Sequence, residues 1–136
     1  MAVWAYQSVK PSEQAEWLLL IEEMIRRGAD IRYSAAGTVL GTALLNCRAT
    51  EAVVPLLLKY GADPNEPMGP LDHPGTPIKT AVGECPELIV RLLLEKGANP
   101  VVDGDPKAIV RLARYFHRES LVPLLVQYGA IDENRR

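Results

Sequence analysis

The sequence predicts an all-α fold in one domain spanning 1–136: four helix-turn-helix units stacked as a repeat solenoid, with loops protruding between them. Three observations predict it. A phrase of apolar residues ending in Gly-Ala returns four times, with its glycine at Gly28, Gly61, Gly97 and Gly129, so the spacings are 33, 36 and 32. Within each phrase the apolar residues recur at helical intervals, as in Ile89, Leu92 and Leu93. A shorter helical stretch precedes the phrase in the last three units. The units run over about 1–33, 34–66, 72–104 and 105–136.

Unit one is the least regular. Ser12 is expected to cap a helix from about Glu13 to Arg27. Trp4, Tyr6 and Trp17 are expected to shield the open end of the stack, because terminal repeats need a cap. In units two to four the short helices are read at Thr38 to Leu45, Thr76 to Val82 and Ala108 to Phe116. Thr76 is placed as a capping residue, with Pro77 at the first helical position. Pro55 and Pro123 fall early in their long helices, where the amide would have no intrahelical partner. Arg27, Lys59 and Lys96 sit just before a glycine and complement the negative end of the helix dipole. The glycine then supplies the left-handed conformation that stops the helix. No unit of this size can bury its own apolar face, so neighbours must stack.

Composition narrows the function classes. Apolar residues make up 48% and charged residues 24%, the balance of a folded globular chain rather than a disordered one. A net charge of −2 gives no reason to expect nucleic acid. No apolar run approaches the roughly eighteen residues needed to cross a bilayer, and Met1 to Lys10 lacks the pattern of a signal peptide. Two cysteines make no disulfide framework, and the simpler expectation is a reducing, intracellular setting, cytoplasmic or nuclear.

The segment Thr76-Pro77-Ile78-Lys79-Thr80-Ala81, followed by the phrase from Leu88 to Pro100, resembles the ankyrin repeat. The resemblance covers nearly the whole chain and is strongest in unit three. It implies a helix-turn-helix solenoid with a concave face lined by the first helices and the loop tips. In that family the first helix opens Thr-Pro-Leu-His, with capping hydrogen bonds made by the threonine and histidine. This chain keeps Thr38 and Thr76 but has Ala108 in the last unit, and at the histidine position it has Gly41, Lys79 and Arg111. A lost cap costs roughly 1 kcal/mol, which bears on single repeats rather than on the fold.

No phosphate loop, His-Glu-x-x-His, Cys-x-x-Cys or nucleophile elbow occurs, so neither a reaction nor a cofactor is expected. Cys47, Cys85 and His117 occupy equivalent positions in successive units. Helices pack about 10 Å apart, so these residues are expected neither to share a metal nor to form a disulfide. Pro64, Pro67 and Pro70 have Pro-x-x-Pro spacing, but the segment reads as a stiff finger between units two and three. Met68, Leu71, Asp72 and His73 lie near its tip. Lys79 and Arg111 share a repeat position, and Arg114 and Arg118 follow Arg111 on one helix face, with Arg48 nearby in the pattern. They form either an ordinary solvated face or a basic strip for a partner with an acidic patch or peptide, flanked by Tyr115 and Phe116 as anchors. Ile109, Leu112 and Phe116 leave an apolar outer edge on unit four unless the tail from Asp132 covers it.

The expected function is a monomeric protein-interaction module that binds another protein through its concave helix face and loop tips. A small regulatory inhibitor of an enzyme such as a kinase is the alternative.

Overall fold

The computed structural model describes residues 11–31, 33–34, 37–45, 47, 52–66 and 76–134. Trp4, Tyr6, Arg48, Met68, Leu71, Asp72 and His73, together with Pro67 and Pro70, lie outside them. The chain is predominantly helical. Helix α1 spans Pro11–Arg26, α2 Val39–Leu45, α3 Val53–Lys59, α4 Pro77–Glu84, α5 Glu87–Glu95, α6 Ala108–Tyr115 and α7 Val122–Gln127. A 3-10 turn over Glu119–Leu121 leads into α7. A short antiparallel hairpin before α2 pairs β1 (Tyr33–Ser34) with β2 (Gly37–Thr38), matching Tyr33 to Thr38 and Ser34 to Gly37. No helix among the described residues is long and apolar enough to cross a membrane.

The helices pair and the pairs touch in order. α2 packs on α3, α4 on α5 and α6 on α7; α2 contacts α4, α4 contacts α6, and α3 contacts α5. One continuous apolar core results, running from Ile21 through Leu44, Leu57, Ile78, Ile89, Leu93 and Ile109 to Leu125. Trp17 packs partly against it.

The recurring Gly-Ala phrase has a specific geometry. Gly28, Gly61, Gly97 and Gly129 take φ of 95, 94, 99 and 113°, the region in which a side chain is strained. Each following alanine donates its N–H back five residues, as Ala98 does to Leu93 O at 2.9 Å, and each glycine bonds back three, as Gly97 does to Leu94 O at 3.1 Å. These are Schellman helix ends. Ala62, Ala98 and Ala130 are themselves buried, so the phrase both stops the helix and returns the chain to the core.

Several sequence expectations need correction. α1 begins at Pro11, which puts Ser12 inside the first turn; a proline there forfeits no hydrogen bond. Thr76 precedes α4 but makes no capping hydrogen bond, and its buried hydroxyl has no partner among the described residues. Ile109 is fully buried and forms no outer edge. Cys47 and Cys85 form a disulfide, with Cα atoms 5.2 Å apart instead of a full helix spacing. Helices α2 and α4 are in direct contact, so the cysteines at their ends come within disulfide reach. With the disulfide in place, free thiols no longer support the expectation of a reducing setting.

Candidate functional site

A hollow of about 410 Å³ opens between α4, α6 and the turn before α6. Lys79, Val102, Asp103, Arg111, Leu112 and Tyr115 line it. The turn is built by an Asp-Gly pair. Asp103 and Gly104 both take positive φ, 55 and 73°, and the Asp105 N–H bonds Val102 O at 2.9 Å. That is the two-residue hairpin geometry which favours Asp-Gly. The adjoining helix divides its faces by period. Ile109, Val110 and Ala113 of α6 go inward, while Arg111 and Tyr115, four residues apart, face out over the hollow.

Tyr115 is the most exposed large apolar side chain of the described residues, at 76%. Phe116 holds it edge to face, the ring centroids 5.1 Å apart and the planes at 85°. Phe116 in turn lies over Gly83 of α4, where an added Cβ would come within 3.1 Å of the ring. Glycine at that position lets the ring lie against the helix. Thus Phe116 is a half-exposed prop, and Tyr115 is the aromatic group on display.

The four cations read as a strip are each engaged within the chain. Lys79 pairs with Asp103 at 3.3 Å. Arg111 holds Glu133 through Nε and a terminal nitrogen, at 3.0 and 3.3 Å, and Asp105 at 3.1 Å. Arg114 grips both carboxylate oxygens of Asp132, at 2.8 and 2.9 Å. Hydrogen bonding to these carboxylates raises the pKa of both arginines, and the same Arg111 contact lowers that of Glu133.

Arg118 does not continue the face of α6. That helix ends at Tyr115, and His117 takes a left-handed φ of 57° in a Schellman turn of its own, its N–H bonding Arg114 O and that of Arg118 bonding Ala113 O. The turn redirects Arg118 to donate to the carbonyls of Ala81 and Val82, at 3.2 and 2.7 Å. It therefore caps the C-terminal end of α4 and ties units three and four together. Burial lowers its pKa.

Neither a protein-family model nor a curated protein matches this chain.

Of the ten residues singled out in sequence, Lys79, Arg111 and Tyr115 come together around one hollow, with Phe116 as their support. Arg114 sits behind the hollow in its pair with Asp132, and Arg118 points elsewhere. Met68, Leu71, Asp72 and His73 fall outside the described residues. Asp103, Asp105, Asp132 and Glu133 complete the site and were missed. Asp103-Gly104 carried a turn signal in sequence; the tail carboxylates carried none.

Proposed function

We propose that this chain is an ankyrin-type repeat protein that binds a partner protein rather than catalysing a reaction, with the Lys79–Arg111–Tyr115 hollow at the centre of its contact surface. Four Schellman stops at near-regular spacing and the row of first helices α2, α4 and α6 support the repeat reading. The binding reading rests on one observation above the others: a large aromatic, Tyr115, stands in the open, edge to face with Phe116, beside a hollow with apolar walls and two cations. Aromatic groups displayed next to such a depression are the side chains that dominate protein interfaces.

The test is capture by the immobilised chain, with Tyr115→Ala and Arg111→Glu as matched baits. At least one protein retained by the wild type should be lost by both variants while their melting temperatures stay close to the wild type. Identical capture by all three baits rejects the hollow as the contact surface. Turnover of any substrate by the purified chain rejects the non-catalytic reading.

A further inference from the structure

We propose that Arg111, which lines the hollow, accepts a carboxylate side chain from an extended segment of the partner, and that Glu133 holds this contact in the free chain; the inference rests on the binding function proposed above. The chain shows the required chemistry on itself. Two consecutive acidic residues, Asp132 and Glu133, reach two arginines three positions apart on α6, and the Arg111–Glu133 contact uses two nitrogens and two oxygens. Planar guanidinium and carboxylate groups match in this paired geometry, and an ammonium group would not reproduce it.

The two halves of the strap are held unequally. The Asp132 side chain is only 11% exposed, makes a double contact with Arg114, and accepts the Asn134 N–H at 3.0 Å. The preceding residue, Ile131, donates its N–H to Pro106 O at 2.8 Å. That half is an anchor. Glu133 and Arg111 are 37% and 53% exposed, so solvent screens their attraction and a competing carboxylate displaces Glu133 at small cost. Arg111 lines the same depression as Lys79, whose own partner Asp103 is exposed at a turn tip; once Glu133 lifts, Arg111 keeps Asp105 on one terminal nitrogen and offers its Nε and the other to the incoming carboxylate. Tyr115, Leu112 and Val102 beside them form an apolar wall. A fitting segment therefore carries an acidic residue next to an apolar one.

The probe is a short fluorescein-labelled peptide of alternating glutamate and leucine, followed by anisotropy at low salt, with a glutamine-leucine peptide as control. Glu133→Gln removes the resident competitor without touching the Asp132 anchor. Its Kd for the acidic peptide should fall about two- to fivefold below that of the wild type, the range expected for releasing one exposed ion pair. Adding Arg111→Gln should erase the gain, and the control peptide should show none. Equal Kd values for wild type and Glu133→Gln overturn the proposal, as does a gain that survives Arg111→Gln or appears with the glutamine peptide. A natural partner lost with Tyr115→Ala but unaffected by Glu133→Gln would sink the carboxylate inference alone. The expected peptide result without any Tyr115-dependent partner would instead sink the broader reading.

Discussion

The side chain of Asn65 bridges to the loop that carries Asn99: its oxygen accepts the Asn99 N–H at 2.7 Å and its amide donates to Gly97 O at 2.9 Å. One side chain thus acts as a backbone segment would, closing a two-bond bridge between the loops of units two and three. Asn65 is itself positioned by Asp63, whose carboxylate accepts the Asn65 N–H at 2.8 Å. Asn99 repeats that local turn by accepting the Val101 N–H at 3.0 Å.

Replacing Asn65 by alanine removes both bonds and leaves Gly97 O and the Asn99 N–H to water. The expected cost is about 1–2 kcal/mol, at the modest end because the bridge is exposed. Denaturant unfolding checks it, with the loss appearing in the midpoint rather than the slope. Asn65→Asp should recover only part of the loss, since a carboxylate accepts from Asn99 but cannot donate to Gly97.

Thr76 offers the opposite case. Its hydroxyl is buried with no hydrogen-bond partner among the described residues. Lys79, one turn along α4, turns instead to Asp103. Thr76→Val keeps the shape and removes the orphan hydroxyl, so it should stabilise the chain by about 1 kcal/mol. Differential scanning calorimetry should show a higher Tm. A lower Tm would mean that the hydroxyl has a partner in solution.

The disulfide joins the ends of α2 and α4 across a sequence separation of 38. Its sulfur-bearing residues are both buried, so the bond ties two parts of the core rather than two surface loops. By chain entropy alone, closing a loop of that length stabilises the fold by about 4 kcal/mol. Reduction should therefore lower Tm by about 14 °C. Cys47→Ser should show the lower Tm with or without reductant. Intact mass should rise by two hydrogens when the wild type is reduced under denaturing conditions; no rise would mean the two thiols are free.

The parts of this fold legible in sequence are those determined within a few residues. A glycine that must take positive φ, followed by an alanine that in three of the four cases is buried, declares its helix stop locally, so four stops could be read from spacing alone. His117 makes the same turn without glycine and was invisible for that reason, which is why Arg118 was placed on the wrong face. The cysteine pair depends on how closely α2 and α4 approach, a quantity set between separate units and not within either one. Likewise the charge of α6 is settled by tail carboxylates about twenty residues away, Asp132 and Glu133, whose path back along the helix no local pattern specifies.

Two of the chain's glutamates give its stability a definite acid response. Glu22 on α1 accepts the Tyr60 hydroxyl at 2.7 Å and lies 3.5 Å from Lys59, while Arg26 donates to the same hydroxyl at 3.2 Å. The hydrogen bond from Tyr60 is the main influence lowering the Glu22 pKa, with Lys59 and Arg26 adding to it against the opposing effect of burial. Glu133 is lowered mainly by Arg111. In both cases the folded chain favours the ionised form. The resulting stabilisation is complete above the ordinary glutamate pKa of about 4.3 and is lost as pH falls through the lower folded values. Tm should hence stay level from neutrality down to about pH 5 and decline below it. Tyr60→Phe should move the Glu22 carboxyl titration, followed by NMR, toward the ordinary value without moving that of Glu133. Arg111→Gln should do the reverse. An unshifted Glu22 in Tyr60→Phe would show that its neighbouring cations, not the hydroxyl, hold the carboxylate.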